Sequence, residues 1–222
     1  MAQFKFKKAT TADIPFITET LIAAEKSGSD ILSYTAIFGL SEADTRKYIA
    51  QMLAEEEDGC ELSVSSYLLA VKDGETAAAI GAWVERAEGI PSSMIKGNLL
   101  QFTLPAECIK RAAIVNKIVG ELQIEHTPDT IQIGVVYVAE GFRGQNLVQL
   151  LIEEHLDRLT TEFPQAEEAH VQVFGSNVAA IKAYEKAGFK VNMIKESNHP
   201  EIEKYLPARK KVLMKRKILE RR

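Results

Sequence analysis

Hydrophobic and polar positions alternate at the start of the chain, where two phenylalanines are interleaved with lysines, and this predicts a strand over Gln3–Lys8. Residues 10–13, Thr-Thr-Ala-Asp, then form a helix-capping signal. The predicted helix has apolar residues three or four positions apart, at Ile14, Ile17, Leu21 and Ala24. Ser27-Gly28-Ser29 is expected to end it.

Two further patterns complete the first half of the chain. Ser41 and Asp44 mark a second helix start, and the apolar positions of that helix are Tyr48, Ile49, Met52 and Leu53. Two apolar runs, Tyr67–Val71 and Thr76–Val84, then flank the turn signal Asp73-Gly74. This arrangement predicts a β-hairpin.

The second half alternates strands and helices. The predicted elements are strand Ile131–Ala139, helix Leu147–Leu159, strand Ala169–Phe174, helix Val178–Ala187, and strands near Lys190–Lys195 and Lys211–Lys217. This alternation favours a mixed α/β sheet with parallel neighbours. Between the hairpin and this half lies Glu85–Thr130, which contains one helical stripe, Ile109, Ala112, Val115, Val119 and Leu122. We interpret it as an insertion into a single domain covering residues 1–222.

Composition narrows the class of protein. The 222 residues are 46% hydrophobic and 26% charged, as in soluble domains, and no apolar run is long enough for a membrane helix. We therefore expect a cytoplasmic protein with no membrane partner. Cys60 and Cys108 are far apart in the sequence, so the pattern indicates neither a disulfide framework nor a metal site.

The charge is unevenly distributed, because eight of the 27 basic residues lie in Arg209–Arg222 while the rest of the chain is acidic. Basic clusters can neutralise the phosphates of nucleic acids. However, this segment contains Val212-Leu213-Met214, typical of a final strand, and no aromatic residue for base stacking. A solvated strand end is the favoured interpretation, and we do not expect a nucleic-acid partner.

Within Val135–Val148, an apolar strand runs directly into a short glycine-containing loop and then into a helix. Such a junction offers free backbone N–H groups and the positive end of the helix dipole to an anion, as at pyrophosphate sites. Arg143 would add a positive charge. Gly141 and Gly144 could instead serve only the turn, and the segment matches neither the GxGxxG nor the P-loop pattern.

A second motif, Asn177–Phe189, combines a cap residue, a short helix and a terminating Gly188. The spacing of Asn177 and Tyr184 places both on one side of that helix. Considered as structure alone, Tyr184 is more readily a core aromatic residue and Asn177 a simple cap.

The pattern Asn-x-x-Ala-x-x-x-Tyr-x-x-x-Gly-Phe, preceded by a strand and an Arg-Gly loop, resembles the GCN5-related N-acetyltransferase (GNAT) family. The two motifs span about residues 131–190, and the order of the earlier elements also follows that family. The resemblance therefore covers most of the chain except Glu85–Thr130. It implies a mixed, mostly antiparallel central sheet with one splayed parallel pair and flanking helices.

The resemblance also implies acetyl-CoA, or another acyl-CoA, as cosubstrate, and an amine of a small molecule or peptide as acceptor. The pyrophosphate of the CoA would lie on the backbone amides of the loop, at Arg143, Gly144, Gln145, Asn146, Leu147 and Val148. The pantetheine arm would run beside Val136, Tyr137 and Val138. Val138 would offer a backbone N–H to the thioester oxygen, Asn177 a polar contact to the arm, and Tyr184 a hydroxyl beside the sulfur.

Direct attack by the amine fits these roles, because negative charge develops first on the carbonyl oxygen and then on sulfur, and a fixed donor stabilises each. No covalent enzyme intermediate is needed. The loop departs from the family pattern where Asn146 and Val148 occupy positions that usually hold small residues. Asn146 tolerates the required backbone angles, whereas the branched Val148 is expected to crowd the phosphates and weaken affinity.

The general base is not identified by the sequence. The predicted strand Ile131–Ala139 offers only Gln132 as a polar residue. Four titratable residues lie outside that strand near its start or at the end of the hairpin, and each is interpreted first as a solvated surface group: Glu85, Glu125, His126 and Asp129. His155 and His170 are expected to be structural.

Two alternatives stay open. The departures in the loop are also compatible with a non-catalytic CoA-binding or regulatory module on the same fold. The insertion Glu85–Thr130 is expected to shape the acceptor pocket or to act as a lid, and the other interpretation is a packing helix with no catalytic duty. A homodimer is common in the family, but no feature of the sequence decides the oligomeric state.

Overall fold

The computed structural model describes residues 4–218, so Gln3 of the predicted first strand and the end of the basic segment, residues 219–222, lie outside it. Its strands are β1 Lys5–Lys8, β2 Tyr67–Lys72, β3 Glu75–Val84, β4 Ile131–Val138, β5 Glu168–Phe174, β6 Lys190–Glu196 and β7 Lys210–Lys217. Its α-helices are α1 Ile14–Lys26, α2 Ser33–Phe38, α3 Glu42–Leu53, α4 Ser92–Thr103, α5 Ala106–Val119, α6 Leu147–Glu162 and α7 Val178–Lys186.

The strands form one sheet in the order β1-β2-β3-β4-β5-β7-β6. The pair β4 and β5 is parallel, and the other five neighbouring pairs are antiparallel. The predicted mixed, mostly antiparallel sheet with one parallel pair and flanking helices is therefore confirmed. The parallel pair lies near the middle of the sheet, where helices cover both faces.

Two hydrophobic clusters lie on opposite faces of this sheet. Leu68 belongs to one cluster and Leu69 to the other, because successive strand residues point to opposite faces. The first cluster packs the sheet against α6, and the second packs it against α1 and α3. Burial of these two apolar layers is the main stabilising contribution to the fold.

The second capping signal starts α3 directly, whereas the first starts a 3₁₀ turn, Thr11–Asp13, that leads into α1. The Thr10 N–H donates to Asp13 Oδ2 at 2.9 Å, and the Ser41 Oγ accepts from the Asp44 N–H at 3.0 Å. Helix α1 ends where Ser27 adopts a left-handed conformation with φ 46°. The Ser41 cap satisfies a free N–H group where α3 begins, and hence fixes which face of α3 is buried.

The structure adds two helices that the sequence pattern did not reveal. Helix α2 has only six residues, and α4 buries only Ser92 and Leu99 of its twelve residues, so its apolar stripe is weak. Four residues of the predicted stripe, from Ile109 to Val119, lie in α5, and the fifth, Leu122, lies in the 3₁₀ turn Gly120–Leu122 that follows. Helix α5 packs beside α2, and Arg111 donates a hydrogen bond to the Ala36 carbonyl at 3.1 Å. The insertion thus lies on the α1 face of the sheet.

Candidate active site

Strands β4 and β5 separate soon after they start. They pair only from Ile131 to Ile133 and from Ala169 to Val171, although β4 continues to Val138 and β5 to Phe174. A cavity of about 240 Å³ occupies the opening and is lined by residues of both strands, α1, α7 and the insertion. The splay therefore exposes backbone groups at the centre of the sheet.

A bulge at Gly134 shapes the floor of this cavity. The register on β3 moves from Ala82 opposite Ile133 to Gly81 opposite Val135, which leaves Gly134 as the extra residue. Ile133 belongs to the α6 cluster, whereas Val135 belongs to the α1 cluster. Because of the bulge, Ile133 and Val135 point to opposite faces of the sheet, although residues two positions apart in a regular strand share a face.

The backbone of β4 presents its free groups to the cavity side. Ala139 N–H donates to the Ala77 carbonyl at 2.9 Å, and hydrogen-bonded pairs alternate along antiparallel strands. Tyr137 therefore bonds toward β3, while Val136 and Val138 direct their N–H and C=O groups toward the opening. Val136 lines the cavity, and Val138 lies two residues nearer the loop.

Helix α7 places Asn177 and Tyr184 on the cavity wall, as the motif predicts. Tyr184 is buried, and burial raises the pKa of its hydroxyl, so the phenol is protonated at neutral pH. The Asn177 Oδ1 accepts from the Ala180 N–H at 3.1 Å, and its Nδ2 donates to Ser27 Oγ at 3.2 Å. Asn177 therefore caps α7 and ties it to the end of α1.

The predicted phosphate loop lies beyond the end of β4 and does not line the cavity. Arg143 to Asn146 are exposed, and Gly144 and Asn146 have φ values of 78° and 60°. Leu147 then begins α6, whose first N–H groups lack helical partners. Val148 packs against the α6 cluster, so its side chain is directed into the core rather than fully into the loop. The Arg143 N–H, one of the amides expected to bind pyrophosphate, instead donates to the Glu140 carbonyl at 3.3 Å, and the Arg143 Nε donates to the Val138 carbonyl at 3.4 Å. The effect of Val148 on cofactor affinity stays a prediction.

Sequence reasoning missed a group of charged residues on the α1 side of the cavity: Glu25, Glu61, Lys96 and Lys211. They come from α1, the segment before β2, α4 and β7, so only the tertiary fold brings them together. One signal was available, because Glu25 follows Leu21 by four residues and thus continues the apolar stripe of α1.

The interpretation of Glu85 as a solvated surface group is wrong. Glu85 is buried and accepts hydrogen bonds from Trp83 Nε1 at 3.3 Å and from both the backbone and the hydroxyl of Ser92 at 3.1 and 2.5 Å. His126 Nδ1 lies 3.3 Å from the same carboxylate, and its side chain is 26% exposed and lines the cavity. Glu125 and Asp129 do not line it.

The carboxylate of Glu85 is charged at neutral pH. Burial alone would raise the pKa of Glu85, but the hydrogen bonds from His126 and Ser92 outweigh it and lower that pKa to about 2. The Trp83 ring packs 5.8 Å from the His126 ring. Glu85, Ser92 and Trp83 thus fix the orientation of His126 and leave its Nε2 free of these three contacts.

Comparison with known proteins identifies the family. The family model of the acetyltransferase (GNAT) family matches residues 36–189, which is more than half of the chain. The chain belongs to the GNAT family of acetyltransferases. Membership supports acyl-CoA-dependent N-acetyltransferase activity, and the family uses acetyl-CoA. A comparison with curated proteins gave no match.

Solved structures of GNAT proteins share the fold. An N-acetyltransferase from Staphylococcus aureus Mu50 is 14% identical, with a TM-score of 0.65 over 95% of this chain and 99% of that chain. The ribosomal-protein-S18-alanine N-acetyltransferase from Escherichia coli is 15% identical, with a TM-score of 0.52 over 97% and 94%. An acetyltransferase from Bacillus subtilis in complex with CoA is 12% identical, with a TM-score of 0.51 over 99% and 100%. Among the helices of residues 4–218, none is long and apolar enough to cross a membrane.

Proposed function

We propose that this GNAT protein transfers the acetyl group of acetyl-CoA to a primary amine by direct attack in a ternary complex. The opening between β4 and β5 carries the proposal, because it brings unpaired strand amides and the Tyr184 hydroxyl to one cavity. A thioester placed there would meet a donor for its oxygen and a donor for its sulfur. The exposed loop from Arg143 to Val148 would hold the pyrophosphate.

Each bond change has a group to receive its charge. The amine nitrogen attacks the thioester carbon, and the oxyanion accepts a hydrogen bond from a β4 amide. The family resemblance assigns this amide to Val138, whereas Val136 is the one of the two residues that lines the cavity. The carbon–sulfur bond then breaks, and the thiolate takes the proton of Tyr184, which the released amine proton ultimately replaces.

We assign His126 as the group that takes the proton from the amine. His126 lines the cavity, and the Glu85 carboxylate 3.3 Å from its Nδ1 orients the ring, so that Nε2 can accept the proton. The insertion contributes both Ser92 and His126 to this arrangement. It therefore shapes the acceptor side of the cavity, rather than serving only as packing.

The test compares acetyl-CoA binding with turnover. Calorimetry with acetyl-CoA is expected to give saturable binding for the wild-type protein, Tyr184→Phe and Tyr205→Phe. A free-thiol assay with an amine panel is expected to show a loss of kcat of about 100-fold for Tyr184→Phe only. Tyr205 is the control, because it packs against the cluster of Leu122, Ile202 and Leu206 and does not line the cavity.

The outcomes separate three possibilities. Absence of binding at millimolar acetyl-CoA would contradict the proposal. Binding without turnover on any amine would favour the non-catalytic CoA-binding module. Full activity in Tyr184→Phe would remove only the acid role of Tyr184.

A further inference from the structure

The cavity is lined by residues from both faces of the sheet, and the two faces contribute chemically different side chains. Tyr184 and Val136 belong to the α6 side, where their side chains join the first hydrophobic cluster. The opposite side, below α1 and the insertion, is lined by two acidic and two basic side chains: Glu25, Glu61, Lys96 and Lys211. An acceptor that approaches the thioester from that side would meet this charged wall.

Two of these four groups neutralise each other. Lys96 Nζ lies 2.5 Å from Glu61 Oε1, and both side chains are largely buried. The same ammonium lies 5.4 Å from the centre of the Tyr34 ring. Lys96 and Glu61 therefore form a fixed ion pair that adds no net charge to the wall.

The other two groups lack such a partner. Among residues 4–218, neither Glu25 nor Lys211 forms an ion pair, although both line the cavity. Lys211 lies opposite Phe174 in the β5–β7 ladder, and its Nζ lies 5.8 Å from the centre of the Phe174 ring. An unpaired acid and an unpaired base thus face one cavity from different walls.

Solvation agrees with this description. Burial raises the pKa of Glu25 in spite of the opposing effect of Lys96. Burial also lowers the pKa of Lys211 to about 8, and repulsion from Lys96 adds to that shift. Both charges are partly desolvated, so a ligand of opposite charge would replace lost hydration.

Two buried hydroxyls behind this wall are also unsatisfied. Ser33 Oγ and Tyr34 Oη have no hydrogen-bond partner within the described residues, and each of these residues is 4% exposed. Ser33 lies near Glu25 without forming a hydrogen bond of good geometry. Ser33 approaches Glu25 and Tyr34 approaches Lys96, so both hydroxyls adjoin the charged wall.

We propose that the acceptor is a compact zwitterion, a primary amine that also carries a carboxylate, as in an amino acid. Its amino end would face Glu25 and its carboxylate would face Lys211. This assignment rests on the proposed acetyltransferase function. This orientation places the amino end near the end of α1, where Ser27 binds Asn177 at the start of α7.

Other classes of amine fit less well. A diamine would place its second cation against Lys96 and Lys211, and an apolar amine would leave Lys211 without a partner. The volume of about 240 Å³ lies below the roughly 300–1,000 Å³ of pockets for drug-sized ligands, so a compact acceptor fits better than a large one.

The test uses matched acceptors in the free-thiol assay with saturating acetyl-CoA. For side chains from glycine to leucine, each amino acid is compared with its amide and with the amine that lacks the carboxyl group. We expect kcat/KM to be at least about tenfold higher for the amino acid, because the amide and the amine cannot pair with Lys211. Equal or higher values for the amides and amines would overturn the proposal.

Two variants locate the effect. Lys211→Met is expected to remove the preference by raising KM for the amino acids while leaving the amides unchanged, and Glu25→Gln is expected to lower kcat/KM for all acceptors. The controls are Lys217→Met, an exposed residue on the same face of β7, and Glu19→Gln, a partly exposed residue of α1. Equal losses on every acceptor in Lys211→Met would contradict the carboxylate contact.

Acetyl-CoA calorimetry on the same proteins distinguishes a failure of the zwitterion assignment from a failure of the proposed acetyltransferase function. If acetyl-CoA binds and only carboxylate-free amines react, the zwitterion assignment is wrong and the acetyltransferase function stands. If acetyl-CoA does not bind, both fail. If no amine reacts, titration of leucine and of leucine amide into the CoA complex decides, and binding no tighter for leucine refutes the assignment. Thermal unfolding confirms that Lys211→Met is folded.

Discussion

Replacing Gly134 by alanine tests whether the bulge on β4 holds Trp83, and through it His126, in position. A Cβ atom at this position would lie 2.6 Å from Trp83 Cζ3 and 2.9 Å from Trp83 Cη2. Separations below 3.0 Å require a shift, and the indole is a rigid ring that is only 5% exposed. Trp83 also contacts His126 and Glu85, so its displacement would move the proposed base.

The expected cost follows from overpacking of a buried site. Forcing an additional methyl group into a dense core typically destabilises a protein by about 1–3 kcal/mol. The backbone at Gly134 does not have a positive φ, so the cost arises from the contact with Trp83 rather than from backbone strain. Truncation of the ring in Trp83→Phe would remove both clashing atoms. In the double variant, therefore, Gly134→Ala should cost less by at least about 1 kcal/mol.

Urea unfolding gives the free energies of this double-mutant cycle, and the free-thiol assay follows activity. We expect Gly134→Ala to lower both stability and kcat, because the ring moves together with His126. Gly120→Ala is the control, since its Cβ would meet only Asn116 Oδ1 at 4.0 Å. A Gly134→Ala protein as stable and active as the wild type, or additive free energies in the cycle, would refute the reasoning.

Three further predictions concern charge and the loop. Burial lowers the pKa of His155 from 6.5 to about 4. Between these two pH values the unfolded chain binds a proton at His155 that the folded protein does not bind, so the free energy of unfolding falls by about 3 kcal/mol as the pH drops from 6.5 to 4. Urea unfolding at pH 7.5 and 4.5 should show this loss in the wild type and less of it in His155→Gln; identical pH dependence would contradict it. If Lys211 binds a carboxylate, KM for an amino-acid acceptor should rise as the pH passes about 8, where this lysine, facing Glu25, Glu61, Lys96 and Lys195, loses its proton. That limb should be missing from pH profiles of Lys211→Met. Asn146 has φ 60°, a left-handed conformation that a branched residue adopts only with strain. Asn146→Val should therefore destabilise the protein by about 1–2 kcal/mol and weaken acetyl-CoA binding measured by calorimetry, whereas Asn146→Gly should preserve stability and binding. Tight acetyl-CoA binding by Asn146→Val would argue against the loop site.

The bulge marks where sequence patterns stop being informative. The apolar run of β4 predicts a strand, but the pattern does not indicate whether that strand contains a bulge at Gly134. The register is decided by β3 and by Trp83, which occupies the space that a side chain at Gly134 would need. Sequence reasoning therefore assigned the oxyanion contact to Val138, whereas the residue that lines the cavity is Val136.

Local sequence patterns also could not predict the charged wall. Glu61, Lys96 and Lys211 come from separate parts of the chain, and charged residues in such segments are ordinarily solvated. Glu85 shows the same limit, since its burial depends on Ser92 and His126 folding back over the end of β3. Only contacts between distant segments turn these surface-like residues into a site.

Local signals in the sequence predict several elements: the helix starts, the hairpin, the strand–loop–helix junction at Gly144 and the Asn177–Phe189 motif that indicated the family. Those signals are local because helix caps, turns and side-chain periodicity involve residues only a few positions apart. The tertiary structure alone decided where β4 and β5 separate, which amides face the opening and which charges surround it. These features depend on packing between segments far apart in the chain, and periodicity along the chain does not encode that packing.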